Sequence, residues 1–179
     1  QWAGIANVWS TASAGKADII RSYDAVAIDR HNEDFVEIIR SQTNGRGVDH
    51  ILDPIGGGHL KRSLSVLAQG GKLYTYGMSS AAPSSKRSLW KALKALRSRP
   101  RFDPMLMMSR NQGVFGVHMG TWSDEEAMQE QMQNILRGIK EGALTPIIDS
   151  VYDAKDVARA HQHIHDGKNI GKVLLKFVD

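Results

Sequence analysis

The chain has 179 residues, 41% of them hydrophobic and 23% charged, which is the profile of one folded domain and not of a disordered tail. It contains no cysteine, which excludes disulfides and thiolate metal sites within it. Its 23 lysines and arginines against 19 acids leave a net charge of +4, a mild bias toward phosphates, nucleotides or anionic membrane surfaces.

The opening Gln1-Trp2 runs without methionine into Asn7-Val8-Trp9. It reads as the start of a fragment whose first elements lie upstream; a trimmed terminus is the alternative. Residues 7–11 read as a short strand. Helical spacing over 14–23 places Ile19 and Ile20 on an inner face, with Ser13 as N-cap. A second apolar run covers 25–28. Asn32 is the expected cap of a helix carrying Phe35, Val36, Ile38 and Ile39, and Asn44-Gly45-Arg46-Gly47 breaks it. A strand over 48–53 leads through Asp-Pro-Ile-Gly-Gly-Gly to a helix over 60–67. Gln69-Gly70-Gly71 then turns the chain into a strand over 72–76. Further on come a strand over 114–119, a helix from Asp124 to about Lys140 capped by Ser123, and a break at Pro146. Asp153 caps a helix to about His165, Gly167 stops it, and 173–177 is the last strand.

Strands alternating with helices imply βαβ units and an α/β, doubly wound, mostly parallel sheet. The apolar runs Ile51-Leu52 and Val173-Leu174-Leu175 fit strands covered on both faces. In such a sheet ligands bind beyond the carboxyl ends of the strands. That rule points to four loops: 10–16, 53–58, 76–80 and 115–120. None carries Gly-x-Gly-x-x-Gly, and no Walker loop is present.

A dinucleotide binder selecting NAD places an acid at the end of its second strand. Here the run is Ser10-Thr11-Ala12-Ser13-Ala14-Gly15-Lys16, with no acid. Ser13 and Lys16 suit the 2′-phosphate of NADP, and Arg30 adds a cation after the next strand. An N-capping serine beside two solvated cations is the plainer alternative. Glycines 56–58 let a ligand approach the backbone, or serve only a turn. Tyr76-Gly77 is a similar strand end whose aromatic ring could be core. His161 and His165 share a helix face while His163 points elsewhere, a poor basis for zinc. No Gly-x-Ser-x-Gly elbow offers a nucleophile.

Lys86, Arg87, Lys91, Lys94, Arg97, Arg99 and Arg101 form a stretch without acids, with Leu89, Leu93 and Leu96 at helical spacing. This basic amphipathic segment, 86–101, suits an anionic membrane or acidic partner through Trp90 and its cations, or packs its leucines on the domain. Nucleic-acid binding is not expected, since no motif or interleaved aromatics accompany the basic residues. The strand over 114–119 is apolar, free of proline and lysine, and reads as an edge open to pairing with a second copy.

Taken together, several segments resemble the cofactor domain of the medium-chain dehydrogenase/reductases. They are Thr11-Ala12-Ser13-Ala14-Gly15-Lys16, Gly47-Val48-Asp49 with Asp53-Pro54-Ile55-Gly56-Gly57, and Lys72-Leu73-Tyr74-Thr75-Tyr76-Gly77-Met78. Residues 111–120, Ile148-Asp149-Ser150-Val151 and Asn169-Ile170-Gly171-Lys172-Val173-Leu174-Leu175 continue the order. Within that superfamily the chain is most similar to the zinc-independent quinone oxidoreductases, in the branch of the vesicle amine transport protein homologues.

The resemblance implies a single Rossmann-like NADP(H)-binding domain over 1–179. Its glycine loop, its first strand-helix unit and a GroES-like substrate domain would lie upstream. It implies cofactor contacts at Thr11, Ser13, Lys16 and Arg30, then at Asp53, Ile55, Gly56, Tyr76, Gly77, Phe115, Gly116 and Val117 around the ribose and nicotinamide, and at Asn169 and Lys172. It implies hydride transfer to an enone or quinone-type small molecule, no catalytic zinc, and homodimers through 114–119; no residue here receives a catalytic role. Two positions depart from the family: Arg30 follows Ile28-Asp29 where tyrosine is frequent, and Tyr23-Asp24 stands where glycine is usual. A cytoplasmic protein is expected. The rival reading is a catalytically silent, nucleotide-binding, membrane-peripheral protein that uses 86–101.

Overall fold

The computed structural model describes residues 4–79, 93, 97 and 101–177. Most of the basic segment 86–101 therefore lies outside the described residues; positions 93 and 97 are helical. Contacts divide the chain into two units, one of Trp9–Arg21 and Val26–Ser123, the other of Gln1–Val8, Ser22–Ala25 and Asp124–Asp179.

The first unit begins with β1 (Trp9–Ala12), a 3-10 turn (Ala14–Lys16) and α1 (Ala17–Arg21). It continues through β2 (Val26–Asp29), α2 (Phe35–Gln42), β3 (Val48–Asp53), α3 (His59–Ser65), β4 (Leu67–Thr75), α4 (Pro104–Arg110) and β5 (Gly113–Gly116). β1 and β2 pair in parallel, from Trp9 opposite Val26 to Ala12 opposite Asp29. β3, β4 and β5 form a second parallel set with β4 in the centre. Among the described residues no strand pairing joins the two sets. Side chains do so instead. Ile28 of β2, Phe35 and Ile39 of α2, and Val66 form one buried cluster; Leu60, Leu67 and Leu73 form another; Ile51 of β3 packs against both. Burying a side chain of this size is worth about 1.5–3 kcal/mol, so these few residues carry much of the unit's cohesion.

The second unit holds α5 (Glu125–Lys140), β6 (Ile148–Asp153), a 3-10 turn (Ala154–Asp156), α6 (Val157–His165) and β7 (Lys172–Lys176). β6 and β7 pair in parallel. Asp149 ties them to the loop between α6 and β7. Its carboxylate accepts from the Ile170 N–H at 2.7 Å, lies 2.8 Å from His163 Nε2 and accepts from the Ser150 hydroxyl at 2.9 Å. These bonds, the Ile170 N–H foremost, hold its pKa below the usual carboxylate range.

The α/β alternation with parallel pairing is as the sequence predicts, but several boundaries move. Asp34 caps α2, not Asn32: its carboxylate accepts from the Val36 N–H, whereas the Asn32 amide donates to Asp29. Asp124 rather than Ser123 caps α5, accepting from the Ala127 N–H. Ser13 and Asp153 occupy N-cap positions of 3-10 turns, yet neither side chain makes a capping bond. β4 begins at Leu67, so α3 ends earlier than the spacing suggested and Gln69-Gly70-Gly71 is an irregularity within the strand, where the β3–β4 register shifts. β5 ends at Gly116 and a 3-10 turn (Met119–Thr121) replaces the expected end of that strand. α4 has no counterpart among the elements the sequence predicts; Asp103 caps it and Pro104 opens it. Asp24, where the resembled family usually has glycine, takes φ 58°, a conformation glycine adopts without strain.

One glycine sets the entry to β3. Gly47 has φ +84°, and a Cβ there would collide with the Val66 carbonyl oxygen, the atom that accepts the Val48 N–H at 2.9 Å. Gly45 has φ +78°, but open space surrounds its Cβ position. Gly47→Ala is therefore expected to lower unfolding stability by more than the roughly 1–2 kcal/mol of left-handed strain alone, and Gly45→Ala by that strain only. Denaturant unfolding of the two variants checks the difference; equal losses would mean that the close approach to Val66 is not limiting.

Candidate functional site

The strand ends of the first unit bring the expected site residues together in two groups. The first lies at the carboxyl ends of β1 and β2. There a cleft of about 220 Å³ is lined by Ala12, Ser13, Ala14, Asp29, Glu33 and neighbouring residues of α1. Thr11 is exposed opposite Ile28, and Ser13 and Lys16 are half-buried. The Arg30 N–H donates to the Ala12 carbonyl at 2.9 Å, which fixes Arg30 beside the end of β1. Arg30 Nε also lies 3.2 Å from His31 Nε2.

Three carboxylates line this cleft, and each has a partner in the chain. Asp18 pairs with Arg21 at 3.1 Å. Asp29 accepts from the His31 N–H and the Asn32 amide, bonds that lower its pKa. Glu33 accepts from the Asp29 N–H at 2.6 Å. The Ser13 hydroxyl and the Lys16 ammonium make no such bond among the described residues. Ser13 occupies the N-cap position of the turn that follows it, but its hydroxyl makes no capping bond. Asp29 ends β2 and Glu33 follows it; the sequence assigns neither a place at the site, and the cleft reveals both.

The second group lies at the carboxyl ends of β3, β4 and β5, and Asp53 organises it. Its side chain is fully buried. Oδ1 accepts from the N–H groups of Ile55 at 2.8 Å and Gly56 at 2.9 Å. Oδ2 lies 2.8 Å from His59 Nδ1 and accepts from the Ser63 hydroxyl at 2.9 Å. Burial pushes this carboxyl up, but the bonds from His59, Gly56, Ser63 and Ile55 outweigh it and bring the pKa down to about 2. All of these partners lie within the chain, so the Asp53 carboxylate shapes the loop. Ser63 is buried and approaches the same ring nitrogen as Asp53, so the Asp-His-Ser set is a structural latch and not a nucleophile. In the sequence the one signal for His59 and Ser63 is their i,i+4 spacing soon after a strand-end aspartate.

The latched loop locks onto the end of β4. The Tyr76 N–H donates to the Asp53 carbonyl and the Ser79 N–H to the Pro54 carbonyl, both at 3.1 Å. A Cβ on Gly77 would lie 2.5 Å from the Pro54 oxygen, so glycine is what permits this approach. Gly56 is buried with φ +71°, and Ile55 is half-buried. Tyr76 is exposed and so is not core. β5 completes the group: Gly116 sits opposite Thr75, the Val117 N–H donates to Thr75 at 2.9 Å, and Phe115 stacks on Tyr74 at 5.4 Å. Asn169 and Lys172 belong to the second unit. There the Asn169 amide donates to the Gly171 carbonyl at 2.9 Å, and Lys172 is exposed at the start of β7.

Parallel strands ending in small-residue loops, with a cleft at those ends, make up the α/β architecture of a nucleotide-binding dehydrogenase domain. A solved structure described as an NAD-dependent alcohol dehydrogenase shares it, with a TM-score of 0.73 at 21% identity, over 96% of this chain and 44% of that one. The chain belongs to the zinc-binding dehydrogenase family, whose profile matches residues 23–175. It is 32% identical over 170 residues to the rat synaptic vesicle membrane protein VAT-1 homolog, covering 94% of this chain and 42% of that protein. It is 24% identical over 159 residues to human quinone oxidoreductase, covering 88% of this chain and 43% of that protein. The chain thus spans less than half the length of these curated relatives.

The family's description names zinc. This chain has no cysteine, and among the described residues no group of three or more His, Asp or Glu could hold a metal ion. These residues do not fit a zinc site. Among the described residues no helix is long and apolar enough to cross a membrane.

Asp53 yields a pH prediction. Its folded pKa lies below the ordinary 3.8, so its stabilisation is present above that value and is lost as pH falls through about 2. The difference is worth about 2 kcal/mol. Asp53→Asn cannot accept from both His59 and Ser63 and does not titrate. The variant is expected to be less stable at neutral pH by about 2–3 kcal/mol and to lose about 2 kcal/mol less on acidification. Denaturant unfolding from pH 7 to acid measures both; parallel pH profiles for the two proteins would remove Asp53 from this role.

Proposed function

We propose that this chain is the cofactor-binding part of an NADP(H)-dependent oxidoreductase acting on quinone, enone or related carbonyl compounds. The observation that carries the reading is the end of β1. The Ser13 hydroxyl and the Lys16 ammonium stand there without partners among the described residues and Arg30 is held alongside, while each carboxylate lining the cleft already bonds a nearby group of the chain. A phosphate on the adenosine ribose would meet a hydroxyl and up to two cations. The interlocked loops after β3 and β4 offer close backbone approach at Gly56 and Gly77 for the remainder of a dinucleotide. A bound nicotinamide supplies the hydride; these residues hold and orient the cofactor, and the residues nearest the acceptor belong to the rest of the protein.

One structural neighbour is described as NAD-dependent, so cofactor choice is the decisive measurement. NADPH is expected to bind the full-length protein about tenfold to a hundredfold more tightly than NADH, and Lys16→Glu to erase that preference. Equal affinities would overturn the NADP assignment. The name of the rat relative favours a second reading, a nucleotide-binding membrane-peripheral protein without turnover. NADPH binding with no NADPH oxidation across a panel of quinones and enones would select it.

Assembly belongs to the same proposal. β5 pairs with β4 along one edge, and among the described residues no strand pairs with the other. Two copies joined antiparallel along that edge would merge their sheets. The Val117 N–H already serves Thr75, so proline at 117 would disturb the sheet itself. Gly116 is the cleaner test, because its Cβ position meets open space. Gly116→Lys is expected to shift a sedimenting dimer toward monomer without loss of helical signal. A monomeric unmodified protein at micromolar concentration would rule the dimer out.

A further inference from the structure

A second cleft lies at the opposite, amino-terminal ends of β3, β4 and β5, away from the loops considered above. It measures about 470 Å³ and is lined by Arg40, Arg46 and Arg110 together with serine, glutamine and backbone, and by no aspartate or glutamate. Helix carboxyl ends attract cations, and α2, α3 and α4 all finish near it. That explains Arg40 in part, since its Nη2 donates to the Ser65 carbonyl at 3.2 Å. It does not explain three guanidiniums. Carbonyls at these helix ends already have donors: the Gly45 N–H serves Arg40 at 2.7 Å and the Gln112 N–H serves Met107 at 3.0 Å.

The charges are also unevenly matched. Arg46 forks onto Asp49. Arg110 is exposed and engages no partner among the described residues. Arg40 retains most of its donors. Two positive charges with several unfilled N–H groups therefore face one cleft. Its floor is held in place from within: the Gln112 amide donates to the Leu67 and Ala68 carbonyls at 2.7 and 3.1 Å, and the Ser109 hydroxyl to Leu106 at 2.8 Å. Gly47 lets the chain pass close over Val66 at the same place.

We propose that this cleft binds the phosphate group of a phosphate ester, with Arg40 and Arg110 as its contacts. The guanidinium fork matches phosphate oxygens two at a time, which neither a chloride ion nor a neutral ligand exploits. The volume exceeds that of one phosphate and leaves room for part of the organic group. A free phosphorylated metabolite and a phospholipid headgroup share this chemistry.

The test is calorimetric titration of the full-length protein with inorganic pyrophosphate at low ionic strength, with and without saturating NADPH. Saturable binding that persists with NADPH is expected, weakened about tenfold by Arg110→Ala and further by Arg40→Ala/Arg110→Ala, a loss of about 1.4 kcal/mol for the first step. Added salt should weaken it, and Lys16→Ala should leave the binding measured with saturating NADPH in place. Because Arg40 also supports Ser65, the single Arg110 variant guards against a loss of fold. No saturable binding, or binding lost in Lys16→Ala and intact in Arg110→Ala, would overturn the proposal whether or not the protein binds NADPH. Flotation with phosphatidylcholine vesicles, with and without a phosphoinositide, separates the sources. Arg110-dependent capture assigns the headgroup, and pyrophosphate binding without capture assigns the soluble ester.

Discussion

A single buried carboxylate governs the site end of the first unit. Asp53 leaves β3 pointing inward, and burial alone would make its charge intolerable by several kcal/mol. Two backbone N–H groups, a histidine and a serine remove that difficulty. They do so only if the loop curls tightly over the strand end and α3 starts where His59 and Ser63 share a face. The geometry of the loop, the start of the helix and, through Pro54 and Gly77, the exit of β4 are all consequences of satisfying one charge. His59 also stacks on Phe35 at 5.1 Å, and Arg62 covers the same ring while pairing with Asp34 at 2.8 Å. The latch therefore reaches the start of α2 as well. In the second unit the half-buried Asp149 is bonded by a similar set of donors, again including one histidine and one serine.

Much of the fold was legible because parallel α/β structure writes itself in alternating apolar runs. β2, β3, α2 and α5 fall where periodicity puts them. Errors arise where several residues compete for one role. Asn32 and Asp34 are both good caps, and the contact between Asp34 and Arg62, distant in sequence, accompanies the choice of the second. Ser123 and Asp124 pose the same choice. At 69–71 the two glycines signal a turn by composition, yet pairing with β3 on both sides absorbs them into β4 as an irregularity. α4 carried a clear Asp-Pro start, obscured by the basic run before it.

At the site, the pattern of legibility follows chemistry. Missing acids are visible in a sequence, so the unusual end of β1 could be read directly. Engagement is not visible: only the structure shows that Asp18, Asp29 and Glu33 are paired and that Ser13 is not capping. Asp53 illustrates the converse. The sequence shows an aspartate at a strand end; that its carboxylate is buried and fully bonded within the chain shows only in the structure. The arginine cleft was unreadable for a different reason, because Arg40, Arg46 and Arg110 come from three separate segments that meet only when the strands pair.

The two strand sets of the first unit share side-chain packing through Ile28 and Ile51 but, among the described residues, no ladder of backbone hydrogen bonds. Ser13 and Lys16 stand on one set, Gly56 and Gly77 on the other. A ligand touching both would work as a brace across a seam held otherwise by side-chain contacts, apolar ones and the Arg62–Asp34 pair among them. Its binding energy would then enter the melting behaviour directly, adding about 2.7 kcal/mol when present at a hundredfold excess over its dissociation constant. Occupancy, on this view, would set how long the two halves stay in register as the temperature rises.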